Sequence, residues 1–287
     1  MVDYQGRTEQ RGNYPVNEYN VLFAVNRGFI PLLLTCIKSI VKNGGAEICR
    51  AYILHSDLEQ AQQEEIRQKA GPAVQCRFIP VDPAMFAGFP ETARYPKEIY
   101  YRMAAPLLLP RELDRILYLD VDIVVINSLE ALYQTDFEGN YLAACTHVQR
   151  FLTEFNRVRL GAEKDAPYIN TGVMLLNLPL LREATRLEDI RDYAGKKKNA
   201  LLLPDQDIMT ALYGDHIKLL DTLRYNLSDR ILSAHNADPK NEKLTLDWVR
   251  QNGVIIHYFG KNKPWKDHYH GSLDVFYREL VASDNVP

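Results

Sequence analysis

The chain has 287 residues, which is long enough for one large α/β domain or two small ones with a sizeable core. Lysine and arginine total 34 against 37 acidic residues, and a net charge of −3 gives no basic bias toward nucleic acid. No stretch approaches the roughly 20 apolar residues of a membrane-spanning helix, and the polar N-terminus has no apolar signal segment. We therefore expect a cytoplasmic globular protein with at most peripheral membrane contact.

Two further features of the chain bound its organisation. Residues 1–18 are polar and show no periodic spacing of apolar residues, which predicts a flexible leader before a single domain over 19–287. The cysteines are far apart and form no C-x-x-C pair, so we expect small core residues in a reducing compartment rather than a metal site or disulfide framework. They are Cys36, Cys49, Cys76 and Cys145.

Strand-like and helix-like segments alternate through the first half of the chain. Apolar runs predict strands at 19–25, 50–55 and 74–81. Helical spacing predicts helices at 29–43, at 57–71 and at 98–109, the last disturbed at Pro106. This alternation predicts a largely parallel sheet with helices on both faces, whose ligands bind beyond the carboxyl ends of the strands.

The second half is less regular. Strands are predicted at 141–147, 168–178, 216–220 and 253–260. One helix is predicted over 178–198, with its lysine-rich end in solvent, and another over 205–214 with two acids in its first turn.

Two carboxylates, Asp120 and Asp122, stand in the middle of the apolar run RILYLDVDIVVIN. Side chains two apart in a strand project to the same side, and at a strand end both could bind one Mg²⁺ or Mn²⁺ ion. The alternative is a pair of acids in a turn, bound to arginine, because an unpaired buried carboxylate is costly. The D-x-D spacing leaves both open, and the preceding ILYL favours the metal because it fixes the pair at a strand end.

The segment HYFGKNKPW, at 257–265, is a second candidate site. A neutral His257 could complete a Mn²⁺ shell, Gly260 would let the backbone approach a phosphate, and Lys263 would neutralise that phosphate. A strand end followed by a solvated basic loop is the alternative interpretation.

Polar residues interrupt the apolar strand YINTGVMLLNL at Asn170, Thr171 and Gly172. Because a buried polar triplet must find partners, it either presents groups to a sugar or forms a bulge. Arg102, on the helix before the D-x-D strand, either pairs with an acid or binds phosphate.

The segment PDQDI carries a second polar cluster, Asp205, Gln206 and Asp207. These side chains could contact substrate hydroxyls, or they could simply cap the helix that follows.

Taken together, LYLDVDIVV, YINTGVMLLNL, PDQDI and HYFGKNKPW resemble glycosyltransferase family 8, the retaining enzymes that include lipopolysaccharide galactosyl- and glucosyltransferases and glycogenin. The last segment is the family's H-x-x-G-x-x-K-P-W pattern in full, and the resemblance runs from residue 19 to about 265. It implies the GT-A fold, a Rossmann-like mixed sheet flanked by helices. It also implies a UDP-glucose or UDP-galactose donor and Mn²⁺, with Mg²⁺ as a substitute.

The resemblance further implies roles for individual positions. The implied metal ligands are Asp120, Asp122 and His257. The implied uridine contacts are Ala24, Asn26 and Phe29, with the backbone of Val121 beside the ribose. The positions implied around the donor sugar are Arg102, Asn170, Thr171, Gly172, Asp205 and Gln206. Those implied at the diphosphate are Gly260 and Lys263.

The expected chemistry is departure of UDP and retention at the sugar. Charge develops on the leaving diphosphate, which the metal, Lys263 and His257 would stabilise. Gln206 stands where a nucleophile might be sought, but an amide is a poor one, so same-face attack is favoured with Gln206 supporting the cationic sugar. Asp205 and Arg102 complete the expected catalytic group.

Two features depart from the family. Asn26 and Arg27 follow the first strand, where acidic residues are common, and this puts the uridine contacts in doubt but not the metal site. The chain also ends soon after Trp265, so a membrane-docking tail is expected to be short or missing.

Two other functions remain as alternatives. DVDIV resembles the opening motif of haloacid-dehalogenase-type phosphatases, but it begins at residue 120 and the later acidic pair in GDHIKLLD has one residue too many. An inactive sugar-nucleotide-binding relative is the other. The donor sugar and the acceptor are not determined; a bacterial cell-surface saccharide, contacted by loops at 147–165 and 225–243, is the expectation.

Overall fold

The computed structural model describes residues 17–91, 96–146, 158–162, 166–198 and 200–283. Its first half alternates strands and helices as predicted. The strands are β1 (Glu18–Ala24), β2 (Ile48–His55) and β3 (Val74–Pro80). The helices are α1 (Ile30–Asn43), α2 (Gln60–Ala70) and α3 (Glu98–Leu108), and α3 continues through Pro106.

The second half contributes shorter elements. Its strands are β4 (Arg115–Leu119), β5 (Ile123–Val125), β6 (Leu142–Thr146), β7 (Ile169–Asn177), β8 (Ile217–Leu220) and β9 (Ile255–His257). Its helices in the middle of the chain are α4 (Glu130–Tyr133), α5 (Leu178–Ala184), α6 (Leu187–Lys196) and α7 (Pro204–Tyr213). Toward the end follow α8 (Thr222–Tyr225), α9 (Asp229–Ala237), α10 (Leu246–Asn252) and α11 (Asp274–Ala282).

The main sheet has seven strands in the order β3-β2-β1-β4-β7-β6-β8. The first four are parallel, β7 runs antiparallel to both β4 and β6, and β8 is parallel to β6. Helices cover both faces, so the predicted mixed α/β architecture is confirmed. Within the described residues, none of the helices combines the length and apolar composition that crossing a bilayer requires.

Two apolar cores lie on opposite faces of the main sheet. Val21 and Phe23 of β1 enter the core that α1 covers, and Leu22 enters the core that α3 and α7 cover. Because both faces are buried, the strand is continuously apolar instead of alternating with polar residues. All four cysteines are free, and three of them are buried.

The predicted helix over 178–198 is wrong, because the structure divides it into α5 and α6. Thr185 ends α5 with extended backbone, φ −83° and ψ 120°. Its side chain is buried and lies 3.1 Å from the hydroxyl of Tyr213 on α7. Tertiary contact with α7 therefore stabilises a break that the helical spacing did not reveal.

A small second sheet positions the two candidate motifs. The run RILYLDVDIVVIN forms two strands, β4 and β5, separated by the acidic turn. β5 pairs antiparallel with β9, and Ile123 lies opposite His257. This pairing brings together segments that are far apart in the sequence.

Candidate active site

The turn after β4 is held from both sides by backbone hydrogen bonds. The amide of Asp120 donates to the carbonyl of Gly172 at 2.8 Å, and the amide of Tyr258 donates to the carbonyl of Asp122 at 2.9 Å. The two carboxylates thus project from a turn that β7 and the end of β9 fix in place, not from a continuous strand.

His257 completes a group of three ligand atoms around this turn. Its Nε2 lies 3.0 Å from Asp122 Oδ1 and 3.8 Å from Asp120 Oδ2. One ligand atom from each residue falls within 4.8 Å of the others. His257 is 1% exposed, whereas both carboxylates are partly open to a cavity. Two oxygens and an imidazole nitrogen are donors that suit Mn²⁺.

Lysine also reaches the acidic turn. Lys263 Nζ forms an ion pair with Asp122 and donates to the carbonyl of Tyr258 at 2.6 Å. Burial by itself would raise the pKa of Asp122, but attraction to His257 and Lys263 outweighs it and holds that pKa well below its ordinary value. Asp122 is therefore a carboxylate at neutral pH, the form that binds a cation.

Arg102 of α3 joins the acidic turn to α7. Its guanidinium lies 3.0 Å from Asp120 and 3.4 Å from Asp205, and it donates to the carbonyl of Thr171 at 2.9 Å. Its face covers the Tyr118 ring at 4.5 Å. Burial opposes the charge of Arg102, but Asp120 foremost among its neighbours raises its pKa above the usual value. The ion-pair interpretation of Arg102 fits this network.

The polar triplet of β7 forms a bulge next to the ligands. Cys145 of β6 pairs with Asn170, whereas Ala144, the residue before it, pairs with Met174. A Cβ at Gly172 would lie 2.3 Å from His257 Cε1, so this position leaves room only for glycine beside the imidazole.

The first turn of α7 presents Asp205 and Gln206 to the same cavity. Thr171 Oγ1 donates to Asp205 Oδ2 at 2.6 Å. Burial raises the pKa of Asp205 and is only partly offset by Arg102 and Thr171. Among the residues that the structure describes, the buried Oε1 of Gln206 has no hydrogen-bond partner. A buried acceptor without a partner is unfavourable, so this atom is a candidate for a hydrogen bond that the described residues do not supply.

Asp207 is fully buried and is not among the residues that line this cavity. Arg159 binds both of its carboxylate oxygens, at 2.9 and 2.7 Å, and the Tyr168 hydroxyl donates at 2.8 Å. The amides of Leu202 and Leu203 donate to it as well. Asp207 therefore stabilises the start of α7, which agrees with the structural alternative for this residue.

Two pockets meet at the acidic turn. The residues that line both of them are Ile99, Arg102, Asp120, Asp122 and Lys266. The first has a volume of about 520 Å³, and its predicted residues are Ala24, Asn26, Phe29, Arg102, Asp120, Val121, Asp122 and Lys263. The second has a volume of about 990 Å³, and its predicted residues are Arg102, Asp120, Asp122, Asn170, Thr171, Asp205, Gln206, His257 and Gly260. Gly172 lines neither pocket but packs against the imidazole of His257. The structure thus brings every predicted site residue to one place.

Some wall residues were not predicted as site residues. Glu98 of α3 lines the first pocket, and Asn26 Nδ2 lies 3.4 Å from its carboxylate, so an acid does stand near the position where the family commonly has one. The second pocket is also lined by Arg230, Phe259, Lys261 and Lys266. Arg230 lies within the predicted acceptor loop 225–243; most of the other loop, 147–165, lies outside the described residues.

The mixed sheet, the acidic turn at the carboxyl ends of its parallel strands and the two adjoining pockets define a GT-A glycosyltransferase fold. The chain belongs to glycosyl transferase family 8, whose family model matches residues 20–269. All four quoted motifs fall within that match, and the family predicted from them is confirmed. The chain is therefore a sugar transferase by family, and the phosphatase alternative gains no support.

Two lipopolysaccharide enzymes and one solved complex are similar to most of the chain. The lipopolysaccharide 1,2-glucosyltransferase of Escherichia coli is 26% identical over 265 residues, covering 91% of this chain and 77% of that protein. The lipopolysaccharide 1,3-galactosyltransferase of Salmonella typhimurium is 21% identical over 286 residues, covering 94% and 79%. The galactosyltransferase LgtC in complex with donor and acceptor sugar analogs is 26% identical, with a TM-score of 0.77 and 93% and 97% of the two chains covered.

Proposed function

We propose that this protein transfers glucose or galactose from a UDP-sugar to a saccharide or glycan acceptor, with retention and with Mn²⁺. The observation that carries the proposal is that Asp120, Asp122 and His257 come together where the two pockets meet. The proposed place of action is bacterial cell-surface polysaccharide or lipopolysaccharide synthesis in the cytoplasm. The lipopolysaccharide relatives support that assignment.

The first pocket suits the nucleotide. Phe29 is 43% exposed at its wall and offers a ring face on which uracil stacks. Asn26 supplies an amide, and the backbone of Val121 lies at the acidic turn, where the ribose would meet the diphosphate. Glu98 adds an acceptor for a ribose hydroxyl or the uracil N–H.

The donor set of the acidic turn fits a hard divalent ion. The two carboxylate oxygens and the imidazole Nε2 would hold it, and the absence of a side chain at Gly172 lets His257 and Asp120 pack closely against β7. When bound, Mn²⁺ supplies positive charge to the diphosphate as the sugar departs. Mg²⁺ prefers the same oxygen ligands and is the expected substitute.

The chain's own cations act on the leaving group. Lys263 forms an ion pair with Asp122 in this structure. A diphosphate together with a divalent ion would draw the Lys263 ammonium toward phosphate oxygens. Gly260 has φ +90°, a conformation that glycine adopts without strain and that lets the backbone approach a phosphate. Electrostatic stabilisation of this kind is usually the largest catalytic contribution.

The sugar side contains no well-placed nucleophile among the described residues. Asp205 is tied to Thr171 and Arg102, and Gln206 is an amide. These contacts support same-face attack, in which a phosphate oxygen of the departing UDP accepts the proton of the acceptor hydroxyl. Gln206 Oε1 would stabilise positive charge on the sugar, while Asp205 and Arg102 orient it.

A direct test incubates the purified protein with Mn²⁺ and a panel of UDP-sugars and measures UDP release. We expect slow hydrolysis of UDP-glucose or UDP-galactose without acceptor, and abolition by EDTA. If neither sugar nucleotide binds or turns over with Mn²⁺, the transferase proposal fails. Binding without turnover, even when saccharide acceptors are added, would instead favour the inactive sugar-nucleotide-binding relative.

A further inference from the structure

Asn226 is a fully buried polar residue next to the candidate metal site. Its Oδ1 lies 2.7 Å from His257 Nδ1, on the side of the imidazole opposite Asp120 and Asp122. Among the described residues, its Nδ2 has no hydrogen-bond partner. A buried amide N–H group without a partner is destabilising, so stability alone does not account for an asparagine here.

The backbone holds Asn226 rigidly beside the histidine. The Asn226 amide donates to the carbonyl of Thr222 at 3.1 Å, which closes α8. The next residue, Leu227, then runs beside β9. Its amide donates to the carbonyl of Ile255 at 3.1 Å, and its carbonyl accepts from the amide of His257 at 2.8 Å. These backbone hydrogen bonds join the segment of Asn226 and Leu227 to β9, and they fix Asn226 beside His257.

Other neighbours restrict the orientation of the imidazole ring. The backbone of Gly172 packs against the Cε1 edge of the ring so closely that a Cβ added to this glycine would lie 2.3 Å from Cε1. The Phe259 ring meets it edge-on, with centroids 5.2 Å apart. These contacts fix the plane of the ring. A 180° flip would place carbon atoms against Asn226 and Asp122 and lose both polar contacts, so Nδ1 stays toward Asn226 and Nε2 stays toward the carboxylates.

We propose that Asn226 is a positioning residue that fixes the tautomer of His257. An amide oxygen is only an acceptor, so it requires a proton on Nδ1 and leaves the lone pair of neutral histidine on Nε2. Without an ion, the 3.0 Å contact between Nε2 and Asp122 Oδ1 needs a hydrogen on Nε2. A divalent ion would take the place of that hydrogen, and the Nε2 lone pair would then face the ion because Nδ1 keeps its own proton, which it donates to Asn226. The inference rests on the proposed metal site and adds a residue that neither contacts the ion nor belongs to any of the sequence motifs.

The first test measures the Kd for Mn²⁺ in the presence of UDP by isothermal titration. We expect Asn226→Leu to raise that Kd about 10–100-fold, the usual cost of losing an outer partner of a ligating histidine. Asn226→Asp, which still accepts from Nδ1, should restore the Kd to within about threefold of the parent. Asn252→Leu is the control, because Asn252 is an exposed asparagine at the end of α10, outside both pockets, whose amide donates to the carbonyl of Trp248.

The second test observes the proton itself by NMR of protein labelled with ¹⁵N-histidine. The parent should show a protonated Nδ1 on His257 with slow solvent exchange, and Asn226→Leu should lose the slow exchange while the global spectrum is retained. A non-protonated Nδ1 in the parent overturns the proposal, as does a Kd for Asn226→Leu within twofold of the parent. If the parent itself binds no Mn²⁺, the proposed function fails, and the NMR result still decides whether Asn226 holds a proton on Nδ1.

Discussion

At the scale of single residues, the site is an electrostatic balance around two carboxylates. Asp122 is paired with Lys263 and His257, and Asp120 with Arg102. Each acid thus has a protein cation and also a direction open to a cavity. The salt-bridge and metal interpretations of the D-x-D motif are therefore compatible, because a divalent ion and a diphosphate can take over the carboxylates and the lysine together.

Asp122→Asn tests the ligand assignment. The amide keeps the size of the side chain but removes its charge, so we expect Mn²⁺-dependent UDP binding to weaken by more than about 100-fold, beyond the cost of losing an outer partner. Titration calorimetry with UDP, with and without Mn²⁺, measures this. Asp192→Asn, at an exposed position on α6, is the control and should bind as the parent does. Unchanged affinity in Asp122→Asn would refute the assignment.

Phe29→Ala tests the uracil contact. Loss of one stacking surface is worth about 1–3 kcal/mol, so the KM for the UDP-sugar should rise about tenfold or more. The kcat should change little, because this contact is the same in the ground state and the transition state. Leu107→Ala is the control, since Leu107 is similarly exposed but lies outside both pockets. A lower kcat with an unchanged KM would contradict uracil stacking.

At the scale of elements, β7 connects the core of the sheet with the site. Its C-terminal part pairs regularly with β4, from Val173 to Asn177. Its N-terminal part departs from regular pairing with β6 and passes beneath His257 and Asp120. Bulges of this type commonly redirect a strand at an active site, and this one supplies the carbonyl of Thr171 to Arg102 and that of Gly172 to Asp120.

Gly172→Ala tests the close packing at this bulge. The added Cβ would lie 2.3 Å from His257 Cε1 and 2.8 Å from Asp120 Oδ2, so it must displace both ligands. We expect at least a tenfold loss of Mn²⁺-dependent UDP binding. Gly195→Ala, in α6, has open space around its Cβ and should bind normally and gain up to about 1 kcal/mol of stability. Equal binding by both variants would show that the site tolerates the displacement.

At the scale of the whole molecule, the site joins two sheets and three helices. The acidic turn lies between the main sheet and the β5–β9 pair, Arg102 comes from α3 and Asp205 from α7. Asn226, which contacts His257, is the C-cap of α8. Because a ligand that bridges these elements binds only when they are assembled, its binding free energy adds to the free energy of unfolding.

Thermal unfolding with Mn²⁺ and UDP measures this coupling. At ligand concentrations about 100 times Kd, the gain is about 2.7 kcal/mol, which corresponds to an increase in Tm of roughly 4–5 °C for a chain of this size. Mn²⁺ alone should give a smaller increase, and EDTA should reverse both. An increase with UDP that is independent of Mn²⁺ would contradict a metal-bridged diphosphate.

Local patterns predicted much of the fold because they report burial directly. The apolar runs of β1 and β2 are buried on both faces, and the acidic turn begins where the apolar run ILYL ends. The helix predicted over 178–198 failed because its break depends on Thr185 meeting Tyr213, a contact 28 residues away. Asn226 and Glu98 carry no signal in their own segments, since only pairing with distant residues gives them a role.

The sequence by itself determined the family and the alternation of strands and helices, and it predicted residues for the candidate site, because each depends on short motifs or on local spacing. The tertiary structure alone decided how those residues meet. Pairing of β5 with β9 brings His257 to Asp122 across 135 positions, and the bulge in β7 makes room for them. Distances of this kind follow from strand register and packing, which are properties of the assembled chain and not of any segment.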